Sequence, residues 1–231
     1  MRRRPRNRIS SGSIDSTPES RYARIRTAGW LMRVLDRKIV LNSALFECAS
    51  WCLGGLHFCL NALGKEVEGY DLVSNNEEEL GVFKEVNRFS LYNLTNGLEE
   101  FLQTHPRYQK TVRALLKEEC RSVHAARMKR PRSYAMAAQR LQDLFGLDQD
   151  SMELCEFLFI NRAFEPVESY FEDSLHVMRF GGTDFLAHML GIAGSRCRNI
   201  LRELAYLGIV EVARASVVLE DPIKDLWTET E

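Results

Sequence analysis

The chain is expected to be mostly α: a helical bundle followed by a C-terminal winged helix-turn-helix with a small β-hairpin wing. Three observations predict it. Apolar residues recur at helical spacing along most of the sequence, and strand-like alternation is confined to the last quarter. In Gly182–Leu219, an apolar helix, a tight turn, a second helix and an alternating tail follow one another without a gap.

Taken in order, residues 1–19 lack an apolar face, contain two prolines and read as a disordered basic tail. From Ser20 to about Val40, Tyr22, Ile25, Trp30, Leu31, Val34, Leu35 and Ile39 stand among arginines and lysines, which predicts a basic amphipathic helix. Its polar side is expected to be solvated and its apolar stripe packed on the domain; nucleic acid, anionic lipid and the acidic C-terminal part are the other surfaces it would suit. Residues 43–63 predict an apolar helix or helix pair broken near Gly54-Gly55. Within it, Leu45–Leu63 is the only stretch approaching membrane-span length. Because it contains Glu47, His57 and Asn61, a buried or interfacial helix is expected and no membrane span.

Asn76 followed by Glu79 resembles a cap with its reciprocal acid, opening a helix to about Arg88. Helices are also expected at 92–104, ended by Pro106, and at 107–127, where Val112, Leu115, Leu116 and Val123 recur. Arg127-Met128-Lys129-Arg130-Pro131-Arg132 reads as a solvated basic linker, and it sets the expected division into a helical subdomain (20–132) and a helical plus winged-helix subdomain (133–231). Tyr134–Phe145 is expected to be helical with Gly146 as its stop. Asp148 begins a helix in which Met152, Leu154, Cys155, Phe157, Leu158, Phe159 and Ile160 make so broad an apolar surface that the helix must be central. A shorter one follows at Pro166–Leu175.

Within the last unit, Thr183 is read as the cap of a helix carrying Phe185, Leu186, Met189 and Leu190, and Gly191-Ile192-Ala193-Gly194 as the turn. The second helix begins near Ser195 and buries Cys197, Ile200, Leu201, Leu204 and Leu207. Gly208 then leaves it and Ile209–Val212 starts a strand. On its outer face stand Ser195, Arg196, Arg198, Asn199 and Arg202, to which the tail adds Arg214. These six are the candidate DNA- or partner-contacting residues.

The formal net charge of −1 conceals a gradient: residues 1–40 carry +8, residues 41–147 are balanced, and residues 148–231 carry −9. Six cysteines are scattered through helical segments of a chain too large to need staples, so reduced thiols in a cytoplasmic protein are expected. Cys48, Cys52 and Cys59 share a helical face near His57, but their spacing fits no zinc pattern, and a core face is expected instead of a metal site. No phosphate-binding loop exists, since Gly64-Lys65 precedes Glu66; there is no H-E-x-x-H and no G-x-S-x-G. The expectation is a protein without catalytic residues or cofactor.

The run Leu144-Phe145-Gly146-Leu147-Asp148-Gln149-Asp150-Ser151-Met152-Glu153-Leu154-Cys155-Glu156-Phe157-Leu158-Phe159, followed by the winged pattern, resembles the N-terminal region of bacterial AAA-family ATPases. The resemblance covers about 134–227 and is vague over 41–133; the winged part alone also resembles MarR-like repressors. It implies a noncatalytic region that recruits substrates or partners for an ATPase core in the same or a neighbouring chain. The family's ATPase module would start after Asp221-Pro222-Ile223-Lys224-Asp225-Leu226-Trp227, so no Walker residues can be compared. Both a truncated ATPase and a stand-alone relative of its regulatory part fit.

Two functions remain. An interaction or regulatory module suits the −9 of the C-terminal part, because a surface approaching DNA must neutralise phosphates. A winged-helix DNA-binding transcriptional regulator using helix 195–207 suits the arginines and the asparagine, which read guanine and adenine edges. Glu203 and Glu211 beside that face oppose the second reading, and a solvated face with its arginines paired to neighbouring acids is a third account of the same residues.

Overall fold

The computed structural model describes residues 17–37, 39–64, 88–126, 128–177, 182–213, 216–220 and 223. It is mostly helical. Residues 1–16 of the expected basic tail, residues 76–87 of the helix proposed for 76–88, and Arg214 lie outside the described residues, whereas Thr17–Glu19, expected in the disordered tail, form the start of the first helix.

The first helix, α1 (Pro18–Leu35), starts earlier than the apolar pattern suggested. Thr17 accepts from the Ser20 amide at 3.1 Å, and Pro18 occupies the first helical position, where a missing N–H costs nothing. The apolar pair α2 (Ser43–Leu53) and α3 (His57–Leu63) meets at a 117° bend, because Gly54 and Gly55 both take positive φ. No helix among the described residues is long and apolar enough to cross a membrane.

Next come α4 (Arg88–Thr104), a 3-10 turn at Pro106–Tyr108, α5 (Gln109–Ala125) and α6 (Arg132–Phe145), the last ended by Gly146 in the left-handed region. The chain continues through α7 (Gln149–Ala163), capped by Asp148, α8 (Glu165–Val177), α9 (Gly182–Leu190) and α10 (Gly194–Tyr206). Thr183 therefore lies inside the first turn of α9 instead of capping it. Strands β1 (Val210–Ala213) and β2 (Ser216–Leu219) pair antiparallel, with Val210 opposite Leu219 and Ala213 opposite Ser216.

One apolar core runs from Tyr22 to Ile223 and passes through both sides of residue 132. At its centre α7 buries every residue from Leu154 to Ile160. Aromatic edges meet it from three helices: Trp30 of α1 and Phe171 of α8 against Phe157, and Tyr134 of α6 against Phe159, with ring centroids 5.0–5.3 Å apart.

One of those buried positions is charged. Glu156 is 1% exposed. Tyr22 Oη donates to its Oε1 at 2.9 Å, Arg26 Nε lies 2.6 Å from the same oxygen, and Arg130 Nη2 lies 2.8 Å from Oε2. The two arginine contacts are charge pairs more than aligned hydrogen bonds. Arg26 also pairs with Glu153, which accepts from Trp30 Nε1 at 3.4 Å. Burial lowers the proton affinity of Arg26, but Glu156 and Glu153 outweigh it and hold the guanidinium above its ordinary value. Arg130, expected in a solvated linker, stays exposed but reaches the buried carboxylate with its guanidinium and supplies counter-charge from the surface.

Helix α1 packs most extensively on α5. A Cβ at Gly29 would stand 2.6 Å from Nδ1 of His124, so glycine is what lets the two helices approach. His124 Nδ1 lies 3.2 Å from the Ile25 carbonyl, which receives its proton.

Two stability measurements follow. Glu156→Ala removes the carboxylate that Arg26 and Arg130 share and leaves Tyr22 without its acceptor, while Arg26 keeps Glu153 and Arg130 stays open to solvent, so it is expected to cost about 1–3 kcal/mol in denaturant unfolding; no measurable loss would show the network to be peripheral. Gly29→Ala is expected to cost about 1–3 kcal/mol through overpacking. In a double-mutant cycle His124→Ala should recover part of that loss, and strict additivity would place the strain elsewhere.

Candidate interaction face

The face built by α10 is set by how its ends are made. Helix α9 stops on Gly191, whose amide bonds to the His188 carbonyl while the Ile192 amide reaches back to Ala187. The same pattern ends α10: the Gly208 amide bonds to Ala205 and the Ile209 amide to Leu204. Both glycines have positive φ, so each helix ends in the same backbone turn. Cys197, Ile200, Leu201 and Leu204 bury the inner side of α10.

The pair α9–α10 is fastened to α1 by reciprocal contacts at two helix C-termini. Arg33 Nη1 donates to the Met189 carbonyl at 2.9 Å, and His188 Nε2 donates to the Arg33 carbonyl at 2.7 Å. Each side chain satisfies a carbonyl in the last turn of the other helix. An open recess lies beside this clamp, lined by Arg37, Asp184, Ala187, His188, Ile192 and Gly194.

The candidate residues divide into two sets. Arg196 is held against the start of α7, pairing with Asp148 and lying 3.4 Å from Asp150 Oδ2. Asp148 meanwhile accepts from the Ser151 amide through its other oxygen, so one carboxylate caps α7 and neutralises α10. Arg198 lies 3.2 Å from Asp184 Oδ1 on α9. Gly194 makes room for that acid, since a Cβ there would stand 2.7 Å from Asp184 Oδ1. Ser195, Asn199 and Arg202 instead face outward, and Arg202 has no ion pair among the described residues.

The sequence reading missed Tyr206. It is 91% exposed and continues the row Ser195, Asn199, Arg202 at helical spacing, so an aromatic ring closes an otherwise polar stripe. That spacing was the available signal. Glu203 and Glu211 are exposed beside it.

All six cysteines are buried free thiols. Burial pushes Cys59 and Cys155 up to about 12 and Cys197 to about 11. Among the described residues no group of three or more His, Cys, Asp or Glu side chains is placed to hold a metal ion. Burial raises the Glu47 carboxyl, Thr95 lowers it by hydrogen bonding, and Glu165 adds to the rise.

No known family, curated protein or solved structure matches the chain.

Because the folded value of Glu47 lies above its unfolded value, folding favours the protonated acid, and its contribution to stability is lost as pH rises through the folded value. Glu47→Gln is therefore expected to raise the urea midpoint more at pH 7 than at pH 4; equal effects at both would refute this. Asp148→Ala should cost about 0.5–2 kcal/mol through the lost α7 cap. Asp184→Ala, at an exposed pair, should change the same midpoint little.

Proposed function

We propose that the chain is a noncatalytic protein-recognition or regulatory module in which residues 182–219 form a winged helix-turn-helix. Its second helix meets a protein partner through Ser195, Asn199, Arg202 and Tyr206. The partner implied by the sequence resemblance is an AAA-type ATPase core, in the same or a neighbouring chain.

The observation that carries this reading is the charge balance around α10. Its two leading arginines are spent on Asp148, Asp150 and Asp184, three acids placed where a recognition helix would have to receive phosphates. What stays outward in the row is Ser195, Asn199, Arg202 and Tyr206, with Glu203 exposed beside them; arginine and tyrosine are among the residue types enriched at energetic centres of protein interfaces. The remaining support for the alternative, a DNA-binding regulator, is that Asn199 and Arg202 are exposed residues able to read base edges.

A photo-crosslinking residue in place of Tyr206 is expected to attach the full chain to a protein bearing a phosphate-binding loop. Arg202→Ala combined with Tyr206→Ala should weaken that complex about tenfold or more. Binding indifferent to both substitutions would exclude α10 as the contact. Loss of sequence-selective duplex binding on Asn199→Ala would favour the DNA reading.

A further inference from the structure

The second half of the basic character lies on α5. Residues 107–132 carry nine Lys/Arg against two acids, a bias hidden inside the balanced middle of the chain. On α5 the cations are not scattered: Lys110, Arg113, Lys117 and Arg121 follow at intervals of three, four and four residues, one per turn on a single face. The adjoining side, Val112, Leu116 and Cys120, is buried, so the row runs along the edge of the packed face with Arg113 and Lys117 half-buried.

The row is anchored. Arg113 donates to the Arg37 and Ile39 carbonyls at 2.8 and 2.7 Å, satisfying backbone without losing its charge and bringing Arg37 alongside. Lys117 pairs with Asp36 and Arg121 with Glu118, while Lys110 is exposed and has no acid partner among the described residues. Asp36 and Glu118 are the two acids paired into this face, against the four α5 cations and Arg37.

We propose that this face of α5 binds the phosphate backbone of duplex nucleic acid, without base selectivity, at a site separate from the α10 stripe. A straight row of cations about 16 Å long suits a rod with one charge per roughly 1.7 Å. A lipid surface fits less well. Membrane-lying helices insert an apolar side, whereas the apolar side of α5 is in the core and its other exposed positions are Thr111, Ala114, Glu118, Ser122 and Ala125. Arg37, at the edge of this face, also lines the recess bordered by Asp184 and His188, so the row ends beside α9 and its acid.

The test is fluorescence anisotropy of a labelled random-sequence 20-base-pair duplex titrated with the full chain at 50–200 mM salt. Lys110→Glu with Arg121→Glu is expected to weaken binding about tenfold at 50 mM salt and to reduce the log–log salt slope by about two. Lys110→Gln with Arg121→Gln should act in the same direction, and Arg202→Glu on α10 should change affinity less than twofold. Matching thermal melts establish that the variants fold. Three outcomes overturn the proposal: no duplex binding at 50 mM salt; affinity unchanged by the α5 substitutions, which assigns binding to the basic N-terminal residues; or tighter binding to phosphatidylserine vesicles than to duplex, abolished by the same substitutions. Failure here leaves the α10 reading untouched, since that is tested by a protein crosslink.

Discussion

The structure depends on one buried carboxylate. Glu156 sits in a helix buried without a break from Leu154 to Ile160, and its charge is met by Tyr22 and Arg26 from α1 and by Arg130 from the connection before α6. An apolar residue there would pack, but it would not say which helix belongs on which side. A carboxylate that must find two guanidinium groups leaves one arrangement satisfied and others with an uncompensated charge. The aromatic contacts of Phe157 and Phe159 then fill the space around that choice.

From this centre the arrangement extends outward through helix ends. Arg33 and His188 join the C-termini of α1 and α9, and Asp148 serves the start of α7 and the arginine of α10 together. The same acids that hold α10 remove most of its positive charge. On α5 two of the four cations are paired in the same way, Lys117 with Asp36 and Arg121 with Glu118, while Lys110 and Arg113 meet no acid among the described residues, and the helix's inner face is committed to packing.

Much of the helical layout was legible in the sequence, because it is written in local signals. Broad apolarity marked α7, period and terminal glycine marked α10, and Gly54-Gly55 marked the break in the apolar pair. The early start of α1 was also written, as Thr17-Pro18, though the apolar count passed over it. What could not be read is non-local. Tyr22 and Glu156 are 134 residues apart, and nothing near Arg130 distinguishes it from a solvated linker cation. Gly29 looks like a weak helix residue until His124 is opposite it. At the candidate face, the sequence supplied Ser195, Arg196, Arg198, Asn199 and Arg202; the acids that separate the paired from the outward residues come from α7 and α9.

The paired glycines that end α9 and α10 separate two properties that usually constrain each other. Direction is fixed by backbone hydrogen bonds, by the inward apolar residues and by Arg196, so the outward residues contribute little to where the helix points. Ser195, Asn199, Arg202 and Tyr206 can therefore be exchanged without moving the helix that carries them, so the mounting of α10 and its outer chemistry are separable.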